Sequence, residues 1–107
     1  RLTLDIGAFG INAYTAPNAG DDVVEQHTEK LYRHEEVYVV LSGRATFTLG
    51  DETLDAPVGT VVFIRDPTVR RHARAAEANT SVLAVGGIRT AVAARMRPFS
   101  IDMKPMT

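Results

Sequence analysis

Short runs of alternating apolar and polar residues fill most of this chain, broken every several residues by glycine, proline or asparagine. A period of two predicts β-strands. The most strongly patterned stretch is His34 to Gly50, HEEVYVVLSGRATFTLG, where two runs rich in Val, Tyr, Thr and Phe flank Ser42-Gly43. It predicts a hairpin, two antiparallel strands joined by a tight turn. With His34 inside the first strand, His34, Glu36, Tyr38 and Val40 share one face, and Glu35, Val37, Val39 and Leu41 share the other. A histidine and a carboxylate then point the same way from a strand that is apolar on both faces, as strands inside a sandwich or barrel are. An ionisable pair aimed inward there needs a partner to offset its desolvation.

Residues 2–6 and 9–15 predict two short strands, and Pro17, Asn18 and Gly20 a turn. Residues 21–29, DDVVEQHTE, predict a third strand with Val24 and Gln26 on one face and Val23, Glu25 and His27 on the other. Residues 28–33 show no period and predict a loop into the hairpin. Beyond it come a turn at Gly50-Asp51, a short strand, a turn over Pro57 to Gly59 and the apolar run Val61 to Ile64, with a further break at Asp66-Pro67. In residues 68–75, TVRRHARA, alternation puts Arg70, His72 and Arg74 on one face and Val69, Arg71 and Ala73 on the other. Residues 81–87 predict a buried strand, Thr90 to Arg97 a short helix ended by Pro98, and the tail from Phe99 an irregular or docked segment. Eight or nine short strands without an internal repeat predict an all-β fold, a barrel or a two-sheet jelly roll, because closure hides strand edges.

Composition narrows the function classes. The 107 residues, 45% hydrophobic and 23% charged, suit one globular domain over residues 1–107 with a core that needs no staples. A formal charge of -1 without runs of one sign gives nucleic acid and anionic membranes no handle. The absence of cysteine excludes disulfides, thiol nucleophiles and zinc-cysteine sites and fits the cytoplasm as the expected compartment. No apolar run is long enough to span a bilayer. The chain begins at Arg1 rather than Met, so targeting is not read from this end.

The residues resemble the cupin superfamily, in particular a small single-domain cupin of the conserved-barrel type with a divergent first motif. Glu36, six residues and then Gly43 fit the end of the first cupin motif, and EEVYVVLSGRATFTLGDE is similar to the family's strand-turn-strand there. Gly59, VVFI, Pro67, His72 and the strand SVLAVGG resemble the second, so that the likeness covers residues 20–87. It implies a small β-barrel, a functional cavity inside it, and a homodimer. Metal-binding cupins take ligands from a His-x-His pair, a Glu shortly after it and a His in the second motif. Glu36 matches that Glu and His72 the last His, but the chain contains no His-x-His, and Val69 stands where the second motif usually has Gly. His27 and His34 are the imidazoles that would replace the pair. The resemblance therefore implies a divalent Fe, Mn, Ni or Zn site at His27, His34, Glu36 and His72. The competing reading has a neutral His72 hydrogen-bonded to Glu36, with no metal.

Tyr38, Arg70, Glu36 and His72 are the candidate ligand-binding residues. Arg70, His72 and Arg74, with Arg65 and Arg71 close by, supply cations for a carboxylate or phosphate, or else serve as solvated edge protection. Tyr38 and Tyr32 offer hydroxyls to a ligand, or Tyr38 simply lines the barrel. Ser42 has no partner base, which argues against a Ser-His-Asp hydrolase. Three functions follow as expectations. The leading one is binding of a small polar or anionic molecule in the cavity. The others are a metal-dependent enzyme of dioxygenase or isomerase type, and the ligand-sensing part of a larger regulator.

Overall fold

The computed structural model of the chain describes residues 9–28, 34–88 and 99–103. The predicted strand at residues 2–6, most of the loop at 28–33 and the predicted helix at Thr90 to Arg97 lie outside them. The described residues form nine strands: β1 (Phe9–Ala16), β2 (Asp22–His27), β3 (His34–Ser42), β4 (Arg44–Leu49), β5 (Glu52–Pro57), β6 (Thr60–Ile64), β7 (Arg71–Ala75), β8 (Thr80–Ile88) and β9 (Phe99–Met103). They make two sheets with strand orders β1-β8-β3-β6-β9 and β2-β7-β4-β5, and every pairing is antiparallel. This is the expected all-β jelly roll. Among the described residues, no helix is long and apolar enough to cross a membrane.

The alternation sets the core. From the five-stranded sheet, Tyr38, Val40, Val62, Ile64, Val82 and Ala84 point inward, and from the four-stranded sheet Ala45, Phe47, Leu49, Ala56, Ala73 and Ala75 meet them. Tyr38 and Phe47 tie the two layers together, with ring centroids 5.5 Å apart at 51°, a tilted geometry that suits two quadrupoles. Small neighbours make room for the rings: Tyr38 is in register with Ala84, and Phe47 with Ala73. The outer face of β3 is apolar for a different reason. Val37 lies in a cross-strand row with Val85 and Phe63, all half-buried, and Arg65 covers the Phe63 ring at 4.6 Å from its centroid.

The central hairpin does not form. β3 pairs with β6 and β8, whereas β4 pairs with β5 and β7, so at Gly43 the chain leaves one sheet for the other. The hairpin is instead β4 with β5 around Gly50-Asp51, where Leu49 faces Glu52 and Gly50 has φ of 60°. A tight turn and a crossing corner share the same sequence signal, a glycine between two β-prone runs, and only the partners differ.

One further expectation is corrected: Val23 and Val24 are both buried, because register shifts on either side of Val24 break the alternation predicted for β2. Of the two alternatives for the tail from Phe99, residues 99–103 take the docked one, as an edge strand paired with β6, from Thr60 opposite Met103 to Ile64 opposite Phe99.

Candidate functional site

A cleft of about 920 Å³ opens between β1 and β2, the edge strands of the two sheets on one side of the barrel, and reaches β3 and β8 at its floor. The inner face of β8 tapers from Val82 through Ala84 to Gly86, and Gly86 is in register with both Gly10 on β1 and Glu36 on β3. The row that contains Glu36 thus carries no side chain on its two neighbours toward the opening. Space is left beside the carboxylate: a Cβ on Gly86 would lie 3.5 Å from Glu36 Cγ and 3.7 Å from its Oε2.

Glu36 sits two residues before Tyr38 on the inner face of β3, so that the pleat places the phenol against the carboxylate. Tyr38 donates to Glu36 Oε1 at 2.5 Å and Arg71 Nη1 donates to the same oxygen at 2.9 Å. The Glu36 side chain is 12% exposed and that of Arg71 0%. A buried guanidinium needs its donors satisfied. Arg71 Nε and Nη2 donate to Val69 O at 3.1 and 2.8 Å, and Nη2 also reaches Asp66 O and Pro67 O at 3.3 and 3.4 Å. The loop that leads into β7 therefore wraps its own arginine, and Asp66 Oδ1 holds the loop in turn by accepting from the Thr68 amide and hydroxyl.

His27 approaches from β2, its Nε2 3.6 Å from Glu36 Oε1. Its Nδ1 lies 2.7 Å from the Glu25 carbonyl, which can only accept, so Nδ1 carries a proton and donates it there, and Nε2 is the ring nitrogen that faces the carboxylate.

His72 is not in the cleft. β7 buries Arg71, Ala73 and Ala75 and turns His72 and Arg74 outward, the opposite of what the family match implies for His72. The faces are those the alternation predicts; the choice between them follows from burial. Turning the other face inward would bury Arg74 and expose two alanines of the core. His72 Nε2 lies 2.7 Å from Asp22 Oδ1, with Arg74 Nε 3.8 Å from the same oxygen. The His72 hydrogen bond, followed by the charges of His72 and Arg74, lowers the Asp22 pKa below its ordinary 3.8. A depressed carboxylate stabilises the fold above its unfolded pKa and loses that contribution as pH falls through the folded value. An Asp22→Asn variant is therefore expected to have a lower unfolding midpoint than the parent at neutral pH, and the two should converge as pH falls through the depressed folded-state value, read by thermal melts across the acid range.

Arg70 is exposed, does not line the cleft, and contributes its carbonyl to the Gly50 amide at 2.8 Å. The backbone of His34 starts β3 opposite Ile88 at the register parity of Glu36; its side chain lies outside the described residues. Among the candidates, the fold thus brings His27, Glu36 and Tyr38 together, and it adds Arg71, which alternation had assigned to the face opposite His72. The legible signal for Arg71 was its place in the apolar half of that alternation.

The described residues do not fit a metal ion. No group of three His, Cys, Asp or Glu among them could hold one. Glu36 Oε1 is already taken by Tyr38 and a guanidinium. Two unit charges 4 Å apart interact by about 4 kcal/mol at an effective dielectric near 20, and a dication doubles this. An ion on Glu36 would thus face a cation with no room to retreat.

No protein-family model matches the chain, and no curated protein does. Solved structures do. A cupin protein from Bacteroides fragilis is 27% identical, with 80% of this chain and 70% of that one covered and a TM-score of 0.64. An RmlC-like cupin protein from Desulfovibrio desulfuricans is also 27% identical, with coverage of 81% and 78% and a TM-score of 0.67. KdgF from a Halomonas species shares 15% identity and hence the fold alone, with coverage of 86% and 79% and a TM-score of 0.71. Two antiparallel sheets, a cleft between their edges and these likenesses give the chain the cupin fold and support its assignment to the cupin superfamily.

Proposed function

We propose that this barrel binds a small polar molecule in the cleft between β1 and β2, with Glu36, Tyr38 and His27 at the floor. The observation that carries the reading is the row Gly10-Gly86-Glu36, whose two glycines carry no side chain. It leaves one carboxylate oxygen beside open space while the other is anchored by Arg71 and Tyr38. A carboxylate fixed in this way is a preorganised acceptor, so a ligand need not order it on binding. Asn12, Tyr14, Thr15 and Gln26 around the mouth add amides and hydroxyls that would fix orientation.

Replacing Glu36 with Gln keeps the shape and removes the charge. A hydrogen bond to a charged group contributes roughly 1.5–3 kcal/mol, so the Kd of a cleft ligand is expected to rise about tenfold to a hundredfold. Ligand screening by thermal shift, followed by titration of parent and variant, measures this. Unchanged affinity for every ligand found would place binding elsewhere.

A further inference from the structure

We propose that the guanidinium of Arg71, rather than a divalent metal ion, is the fixed cation of this cleft, and that the cleft takes an uncharged molecule donating hydrogen bonds to Glu36 Oε2. The inference rests on the reading of the cleft as a binding site and names the chemistry it accepts.

The cation cannot leave. Arg71 is wholly buried, and carbonyls of Asp66, Pro67 and Val69 hold its Nε and Nη2 while Nη1 meets Glu36. Nor can the second-motif histidine take its place. His72 is in register with Thr48, one position from the Arg71 pairing with Leu49, and bringing it inward needs a one-residue slip that would turn Ala73 and Ala75 out of the core. The metal-binding role that the resemblance gives to Glu36 and His72 is thus divided: Glu36 keeps the inner position, and an arginine faces it.

Charge then selects the ligand. Glu36 and Arg71 form a pair of zero net charge. Among the described residues no Lys or Arg lines the cleft, whereas the carboxylates of Asp22, Glu25 and Glu36 do, and these disfavour an anionic ligand. The exposed acceptor is Glu36 Oε2, beside Gly86, and the mouth carries the amides of Asn12 and Gln26. An uncharged molecule with hydroxyl or amide N–H donors suits this lining, whereas an anion would meet a carboxylate at the floor.

Two measurements on the tag-free protein test this. The first is titration with Co²⁺, followed by visible absorption. The second is saturation-transfer NMR with two mixtures: uncharged polyols and amides, including myo-inositol and propionamide, and anions, including malonate and inorganic phosphate. No cobalt band and signals from the uncharged mixture are expected. Those signals should fall about tenfold or more in affinity in Glu36→Gln. They should also weaken in Gly86→Ala, whose methyl enters the space beside Oε2 at ordinary contact distance and so leaves the fold intact. A stoichiometric cobalt band lost in Glu36→Gln or His34→Ala, or transfer confined to the anions, would overturn the inference and leave the cleft a binding site. No transfer from either mixture together with no cobalt uptake would overturn both.

Discussion

Replacing Arg71 with methionine is expected to destabilise the protein by about 3–5 kcal/mol, read as a lower urea midpoint with an unchanged slope. The side chains are similar in length, so the loss comes from polar groups rather than volume. The variant strips the Glu36 carboxylate of its counter-charge at a site where the side chain is 12% exposed, and removes the donors of three loop carbonyls. An uncompensated buried charge costs more than the pair it came from was worth. That asymmetry makes the second half of the test decisive: adding Glu36→Gln to Arg71→Met should recover about 1–3 kcal/mol, because the amide has no charge to leave unpaired. Additive losses in the double variant would mean that the two side chains do not act as a pair.

Gly43→Ala is expected to cost about 2–5 kcal/mol, for reasons found at the crossing between sheets. Gly43 has φ of 71°, and an L-residue there loses about 1–2 kcal/mol. Its Cβ would also lie 2.8 Å from Thr80 Cα, a backbone atom that cannot rotate away, and overpacking of this kind costs about 1–3 kcal/mol more. The corner is clamped on both sides. Ser42 Oγ donates to Asn79 O at 2.9 Å, the Arg44 amide donates to Thr80 Oγ1 at 3.2 Å, and Thr80 is fully buried. Gly50→Ala is the control. Its φ is 60°, yet nothing lies within 4 Å of the added methyl, so only the conformational cost of about 1–2 kcal/mol should appear in the same urea titration. Equal losses at both glycines would remove the close approach at Thr80 from the explanation.

Gly43 also explains why the central stretch reads as a hairpin. Ser42-Gly43 between two β-prone runs marks a reversal of the chain, and the sequence carries no sign of whether the next strand pairs with the last or with the opposite sheet. That depends on Thr80 and on β6 and β8, residues nearly 20 or more positions away. At Phe99–Met103 docking on a neighbour was one of the two expectations, and its strand form is not legible because five residues of mixed polarity take it through the edge that β6 offers. β2 failed for a local reason, as register shifts there let adjacent valines both face inward.

At the site, the grouping of Glu36 with Tyr38 was legible in the pleat of β3, and a partner for the inward carboxylate was required by its desolvation. The identity of that partner was not legible. His72 was the expected candidate from the family motif, and its neighbour Arg71 occupies the position.

What the sequence by itself determined is therefore parity: the all-β class and, in β3 and β7, which residues share a face, including Arg71 with Ala73 and Glu36 with Tyr38. A period of two is a property of neighbouring residues and needs nothing distant. Only the tertiary structure decided which face of each strand turns inward, which sheet each strand joins, and that the cation opposite Glu36 is a guanidinium wrapped by its own loop. Those choices are settled by burial and hydrogen bonding summed over residues far apart in the chain, and a polar side chain is admitted to the core only where the fold happens to supply it with partners.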